Sequence, residues 1–266
     1  MIVMARKRKK TSKATKFKRN ALRIIKTCFM ILVTAILLFA AAMHLPGLIK
    51  RFWKTPSKTT QVTTVSKNYN GIDISKFQGS INWQKVAQDK KIQFVYIKAT
   101  EGATHYDKKY EANLQKARKA GLKVGSYHFF TYRKSAKEQF NNFKKHVRKN
   151  EQDLIPMVDV EKTGNNGATR EKLQKTLNEF MQLVKKEYGK YPLLYSQYHF
   201  YNRLLAPEFN KYYIFIARYS NQEPILHGGG KYNIWQYTEK GKIEGISGYV
   251  DLARFGHGTT LADISL

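Results

Sequence analysis

Short apolar segments alternate with longer amphipathic segments from Tyr69 to the end of the sequence, and this alternation limits the fold more than any other feature. The apolar segments are rich in β-branched and aromatic residues. Several are almost continuously apolar, which is typical of parallel strands covered on both faces. Eight strands are predicted, at 70–75, 93–100, 123–130, 154–161, 191–197, 212–219, 232–238 and 248–255. Helices are predicted at 83–90, 108–121, 134–150 and 169–189.

The last three predicted strands decide between an open sheet and a closed barrel. The connections between them are too short for crossover helices of the usual length. Strand–helix alternation that ends in strands without helices predicts an α/β fold. We expect an irregular, TIM-like (β/α) barrel with eight strands and missing late helices, formed by residues 68–266.

The sequence is strongly and unevenly basic. Its net charge is +29, and 16 of its 48 Lys and Arg residues lie in 1–67, where there is no Asp or Glu. Lys and Arg neutralise phosphates, so this charge is compatible with nucleic-acid binding. It is equally compatible with an anionic membrane or cell-wall surface. The single cysteine, Cys28, excludes an internal disulfide framework.

A charge-free and mostly apolar segment of 23 residues, 27–49, lies between Lys26 and Lys50. About 20 such residues are enough for a helix to cross a hydrocarbon core about 30 Å thick. Basic runs such as 6–26 stay on the cytoplasmic side, which would place the barrel outside the cell. We therefore predict a single-pass protein of the cell membrane with a cytoplasmic tail (1–26), a transmembrane signal-anchor helix (27–49) and a linker (50–67). The alternative is a signal peptide cleaved near Ala42, which would secrete the domain.

Four acids fall where the active site of a barrel would lie. Asp73 lies in the first predicted strand, Asp159 and Glu161 end the fourth, and Asp251 lies in the eighth. Barrel sites lie at the C-terminal ends of the strands, and the first and eighth strands become neighbours on closure. Two carboxyls can hydrolyse a glycoside, because one protonates the leaving oxygen while the other supports the oxocarbenium ion. Aromatic residues near the strand ends would offer apolar faces to sugar rings: Tyr127, Phe129, Tyr195, Trp235 and Tyr237.

Five segments together resemble glycoside hydrolase family 25, the N-acetylmuramidases. They are GIDISKFQGSINW (71–83), FVYIKATEG (94–102), AGLKVGSYHFF (120–130), PMVDVE (156–161) and WQYTEKGKIEGISGYVDLARF (235–255). The resemblance spans residues 69–256. It implies hydrolysis of the β-1,4 bond between N-acetylmuramic acid and N-acetylglucosamine, so peptidoglycan is the expected partner.

The resemblance also implies a role for each acid. Glu161 matches the proton donor of the family. Asp159 matches the acid that supports a substrate-assisted, retaining step, in which the 2-acetamido group attacks the anomeric carbon. Asp73 and Asp251 match the family's other two acids at the mouth of the barrel, which is the end formed by the C-terminal ends of the strands. The residues expected to bind substrate are Glu101, Tyr127, Phe129, Tyr195, Trp235 and Gln236.

Neither a metal nor a cofactor is expected. The seven histidines show no H-x-x-x-H or H-E-x-x-H spacing, and His128 is interpreted as a core histidine. Two other functions stay open: a membrane-tethered module that binds peptidoglycan without catalysis, and a nucleic-acid-binding domain. Export of the barrel disfavours the second, so nucleic acid is not an expected partner. Anionic wall polymers are a further candidate partner for the basic surface.

Overall fold

The computed structural model of the chain describes residues 68–256 and 258–266, together with Lys26, Met30 and Thr34, which are helical. The predicted tail, transmembrane helix and linker otherwise lie outside the described residues. Among the residues that are described, no helix has both the length and the apolarity needed to cross a membrane. The chain divides into two compact units, Met1–Val62 and Thr63–Leu266, and the second contains all the elements described below.

Nine strands form one sheet in the second unit. They are β1 (Gly71–Ile74), β2 (Phe94–Glu101), β3 (His105–Tyr106), β4 (Val124–Phe129), β5 (Met157–Asp159), β6 (Leu193–Gln197), β7 (Ile214–Ala217), β8 (Ile234–Gly241) and β9 (Val250–Phe255). The order is β1-β9-β8-β7-β6-β5-β4-β2-β3, and β1 also pairs with β2, so eight strands close into a barrel. Each predicted strand corresponds to one of these eight. The ninth, β3, has only two residues and pairs with β2 alone, and so short a strand leaves no periodic pattern in a sequence.

The last strand of the barrel differs in direction from the others. Strands β1, β2 and β4 to β8 form an unbroken parallel series. Strand β9 is antiparallel to both of its neighbours, β8 and β1. Eight residues, 242–249, connect β8 to β9, and so short a connection returns the chain as an antiparallel hairpin.

Six α-helices are described in the second unit: α1 (Trp83–Val86), α2 (Tyr110–Lys119), α3 (Ala136–His146), α4 (Lys162–Asn165), α5 (Arg170–Tyr188) and α6 (Tyr198–Leu204). The four predicted helices correspond to α1, α2, α3 and α5. The longest, α5, is capped at its start by Thr169, whose side chain accepts a hydrogen bond from the Lys172 amide, and at its end by Gly189, which has a φ of 89°. After α6 the described chain reaches β7, β8 and β9 without another α-helix, which confirms that the late helices are missing.

The barrel interior is filled by side chains from alternate positions of the strands. Phe94 and Tyr96 are the largest of these on β2, and both are fully buried. Glycines on the neighbouring strands make room for them: an added methyl group would lie 2.3 Å from the Phe94 ring at Gly71 and 2.5 Å from the Tyr96 ring at Gly125. The second, larger core lies between the outer faces of the strands and the helices. These two cores fix the positions of the strand ends, where the polar residues of the mouth begin.

We expect Gly125→Ala to lower the free energy of unfolding by about 1–3 kcal/mol, because overpacking a filled core forces side chains out of their rotamers. The new methyl group would meet both Tyr96 and the Leu154 Cβ atom, the latter at 2.9 Å. Gly248→Ala is the matched control, since nothing lies within 4 Å of its added methyl group. Denaturant titration followed by near-UV circular dichroism measures both variants. Equal midpoints for the two would contradict this account of the interior.

Candidate active site

The four predicted acids meet at the mouth of the barrel. Asp73 and Asp251 are direct partners in the register of β1 and β9, and both are on the inward-facing side. Asp159 is the last residue of β5, and Glu161 follows two residues later. Burial raises the pKa of the Tyr127 hydroxyl, and all four of these carboxyls raise it further. The mouth therefore concentrates negative charge around one buried tyrosine.

Asp73 and Asp251 share a hydrogen bond between their carboxyl groups, which requires one of the two to be protonated. Burial, and then the charge of Asp251, raises the pKa of Asp73 well above its usual range. Burial likewise raises the pKa of Asp251 to about 6, and Glu239 adds to this effect. The Gln236 Nε2 atom donates a hydrogen bond of 2.8 Å to Asp73 Oδ2 and fixes its orientation.

Asp159 and Glu161 form the second pair of acids and lie in different environments. Asp159 is buried, and its pKa is raised well above the usual range by burial and by the charge of Glu161. Burial also raises the pKa of Glu161, which is only half-buried, while a hydrogen bond with the Tyr195 hydroxyl opposes the shift. Gln197 Nε2 donates to Glu161 Oε2 at 3.5 Å. The Oδ1 atom of Asp159 is buried and has no hydrogen-bond partner among the described residues.

Lys98 is a site residue that the sequence analysis missed. It lies on the inward-facing side of β2, its side chain is only 14% exposed, and its Nζ atom is 2.8 Å from Glu101 Oε2. Its ammonium group also lies 4.7 Å from the centre of the Phe129 ring. The charge of Lys98 lowers the pKa values of Asp159 and Glu161, in opposition to burial. A lysine inside an otherwise apolar strand was the available signal, because such a charge is costly to bury without a partner.

A chain of hydrogen bonds connects the two pairs of acids through Gln236. The hydroxyls of Tyr195 and Tyr219 both donate to Gln236 Oε1, at 2.9 Å and 3.0 Å. The Tyr195 hydroxyl also contacts Glu161, and its single proton serves one of these two acceptors at a time. The Gln236 amide therefore links the environment of Glu161 to that of Asp73. Gln197 and Tyr219, which complete this set, carry no distinctive sequence pattern.

The predicted substrate-binding residues are not all brought together. Tyr127 and Tyr195 lie at the mouth, but both rings are buried and present their hydroxyls to the acids. Phe129 and Glu101 lie beside them at the ends of β4 and β2, in contact with Lys98. Gln236 reaches Asp73, as described above.

The structure does not bring Trp235 to the mouth. It lies between two inward-facing residues of β8, so its side chain points out of the barrel. The indole is 1% exposed, its Nε1 atom donates to the Arg218 carbonyl at 2.8 Å, and the Arg254 guanidinium covers one face at 4.2 Å. Its ring therefore offers no surface on which a sugar could stack. A residue one position earlier or later on β8 would have pointed into the barrel, and the composition of the strand does not show which residues face inward.

His128 is a core residue, as the sequence analysis expected. It is fully buried, its Nδ1 atom lies 2.8 Å from Thr100 Oγ1, and its ring stacks on Phe180 at 5.0 Å. Burial lowers the pKa of His128 to about 4, so the ring is neutral at physiological pH. Among the described residues, no three His, Cys, Asp or Glu side chains converge in a way that would hold a metal ion.

Comparison with known proteins gives one consistent result. Residues 72–246 match the model for glycosyl hydrolases family 25. The chain is 33% identical over 222 residues to the uncharacterized protein YegX of Escherichia coli K12, which covers 82% of this chain and 80% of YegX. It is similar to a family 25 glycosyl hydrolase from Bacillus anthracis, with 31% identity, a TM-score of 0.67 and coverage of 75% of this chain and 95% of that chain. It is also similar to a bacterial lysozyme from Streptomyces coelicolor, with 29% identity, a TM-score of 0.66 and coverage of 75% and 96%.

We expect Asp251→Asn to stabilise the protein at pH 7 by about 1–3 kcal/mol and to have little effect at pH 4. The pKa of Asp251 is raised to about 6 in the folded state, so the folded protein binds its proton more tightly than the unfolded chain does. The wild type therefore loses stability as the pH rises from about 4 through about 6, whereas an asparagine cannot lose a proton. Denaturant midpoints at the two pH values measure this difference.

Asp263→Asn is the control of opposite sign. Hydrogen bonds from Thr260 lower the pKa of Asp263, so its contribution to stability is present at neutral pH and is lost on acidification. This variant should be less stable than the wild type at pH 7. Destabilisation of Asp251→Asn at pH 7 would contradict the assignment of Asp251 to a crowded, buried pair.

Proposed function

Because the chain belongs to glycosyl hydrolases family 25, we propose that it hydrolyses peptidoglycan at the β-1,4 bond between N-acetylmuramic acid and N-acetylglucosamine. The chain is thus a glycoside hydrolase of the lysozyme type. One observation carries the proposal most directly: four carboxyls with raised pKa values lie close enough at the barrel mouth to influence one another. Glycoside hydrolysis needs an acid that is still protonated near neutral pH beside another that is charged.

We assign the proton-donor role to Glu161. It is the more exposed acid of its pair, so the oxygen of a bound glycosidic bond can reach it. Burial raises its pKa, which keeps a proton available at a pH where an ordinary glutamate has lost it. The Tyr195 hydroxyl, which contacts the same carboxyl, can hold it in position and then stabilise the carboxylate that remains after proton transfer.

Asp159 is suited to support the 2-acetamido group of the substrate. Its buried Oδ1 atom has no hydrogen-bond partner in the described part of the chain, and buried polar atoms in native proteins normally have one. In the free enzyme, Asp159 is more deeply buried than Glu161 and holds the proton of the pair more tightly. An acetamido N–H that donates to Oδ1 would favour the ionised form of Asp159. Substrate binding would therefore shift the proton to Glu161, where the leaving oxygen needs it.

Asp73 and Asp251 act on the reaction through charge and position in this proposal. Their shared proton leaves about one negative charge on the pair near the site where the oxocarbenium ion develops. Gln236 and its tyrosine partners hold Asp73 in place and connect it to Glu161. No bond to the substrate is assigned to either aspartate.

We expect Glu161→Gln to lower kcat on purified peptidoglycan by about 10²- to 10⁴-fold, because it removes general-acid catalysis without changing the shape of the side chain. Release of reducing ends measures the rate, and mass spectrometry of the products should show N-acetylmuramic acid at the reducing end. Glu208→Gln is the matched control, since this exposed carboxylate pairs only with Lys211 among the described residues. A Glu161→Gln variant with the wild-type rate would refute the role of Glu161.

Asp159→Asn should also reduce kcat by a similar factor, and it tests the substrate-assisted step. The wild type should release products that are initially in the β configuration, which NMR spectroscopy detects before mutarotation. Products initially in the α configuration would show inversion and contradict the participation of the acetamido group.

A peptidoglycan-binding module without catalysis is the second candidate function. The presence of all four acids with their hydrogen-bonding network disfavours it, since simple binding does not need buried carboxyls with raised pKa values. Binding of the wild type to insoluble cell wall without any clearing of turbidity would favour this alternative.

We further propose that residues 27–49 hold the enzyme in the cell membrane, with the barrel on the outer side. The support is the charge-free apolar segment and the basic run that precedes it. The full-length protein should remain with membranes in high salt, and protease added to wall-free cells should degrade the barrel. Leu37→Lys places a charge inside the segment and should release the protein from the membrane fraction. A barrel protected from external protease would contradict this topology.

A further inference from the structure

A groove of about 750 Å³ lies beside the mouth of the barrel, and the Lys and Arg residues that line it are not accompanied by any acid in the described part of the chain. Its walls include Gln197 and Tyr219, the same residues that hydrogen-bond to Glu161 and to Gln236. The groove is therefore continuous with the mouth on the side of β6 and β7. Its volume is in the range of sites that hold small ligands or a few linked residues.

The groove is lined by three cationic side chains, Lys162, Arg203 and Arg218, and none of the described residues that line it is acidic. None of these three takes part in the nine ion pairs found among the described residues. Lys162 and Arg203 are exposed. Two other grooves differ in charge, because one contains the Lys85–Glu244 ion pair and another contains Glu171 and Glu208. A third groove is lined by lysines without an acid, but none of the described residues that line it contacts the four acids of the mouth.

Arg218 gives the groove a fixed wall. Its guanidinium donates to the backbone carbonyl of Glu223 and to Gln222 Oε1, and it lies 4.5 Å from the centre of the Tyr198 ring. These contacts hold the group in place, but neither acceptor is a carboxylate, so the positive charge is left without a neutralising anion from them. A fixed cation beside two exposed cations creates a positive potential that selects anionic ligands.

We propose that this groove binds the carboxylates of the peptide stem attached to the muramic acid residue next to the cleaved bond. The inference rests on the proposed muramidase function and adds substrate selectivity to it. The stem leaves the lactyl group of the sugar that Glu161 acts upon, so it must pass over the surface adjoining that residue. Gln197 provides this adjacency, since it contacts Glu161 and lines the groove. The groove thus favours glycan that still carries its peptides.

The test uses the full-length protein and compares its kcat/KM on two soluble substrates. One is uncrosslinked glycan with peptide stems, free of other wall polymers, and the other is the same glycan after an amidase has removed the stems. The variant Lys162→Gln/Arg203→Gln should lower kcat/KM on the stem-bearing glycan by about fivefold or more, as expected for the loss of two exposed ion pairs. Its kcat/KM on the stripped glycan should change by less than about twofold. Both replaced side chains are exposed, so the fold is expected to be retained.

Lys175→Gln/Lys186→Gln is the matched control. It removes the same net charge from exposed positions of α5 that do not line this groove. This control should affect the two substrates equally, which separates local recognition from general attraction to an anionic substrate.

Three results would overturn the inference. An equal loss of kcat/KM on both glycans in the Lys162→Gln/Arg203→Gln variant would show that these cations bind the sugar chain. No loss on either glycan would show that they do not bind substrate. A loss seen only on walls that carry anionic polymers would assign the groove to those polymers. A wild-type protein that cleaves neither glycan would refute the muramidase function itself, whereas an active wild type with equal losses refutes the stem-binding groove alone.

Discussion

Strand β9 lies between β8 and β1 and runs antiparallel to both, so its first residues reach the mouth that the C-terminal ends of the other strands form. Asp251 is the second residue of β9 and therefore faces Asp73 across the β1–β9 pair. If β9 were parallel, the same residue would lie at the opposite end of the barrel, and the acids could not meet. The pairing of β9 with β8 and β1 closes the sheet, and its direction determines which of its residues reach the mouth.

The acids gathered in this way oppose folding and favour chemistry for the same physical reason. A carboxylate loses hydration at the mouth and repels its neighbours, so protons are retained at pH values where exposed acids are charged. Hydrogen bonds from Gln236, Gln197 and Tyr195, and the charge of Lys98, limit this cost without removing it. The large cores on both sides of the strands stabilise the fold enough to offset the free-energy cost of crowding these carboxyls, as is common for active sites.

The sequence predicted the eight barrel strands, the three longest helices together with the short α1, and the four acids, because burial and amphipathic periodicity leave strong patterns. It did not predict the direction of β9, since a strand has the same alternation whichever way it runs. The sequence also did not show whether Trp235 points into or out of the barrel, because a shift of one residue in the register of β8 moves each side chain to the opposite face of the sheet. Gln197 and Tyr219 were missed because their role depends on which strands become neighbours. Lys98 could have been found, since a lysine among apolar strand residues requires an explanation.

The inward-facing positions show how one pattern serves both the core and the site. Along β2 they change from Phe94 through Tyr96 to Lys98, and β5 changes from Met157 to Asp159 toward the same end of the barrel. Strand β6 follows the same course, from Leu193 through Tyr195 to Gln197. Polarity therefore increases toward the C-terminal ends of these strands, and the tyrosines are at the transition, with rings in the apolar layer and, for Tyr195, a hydroxyl among the acids. Where such gradients converge on neighbouring strands, the inward residues alone identify which end of a barrel is open to a substrate.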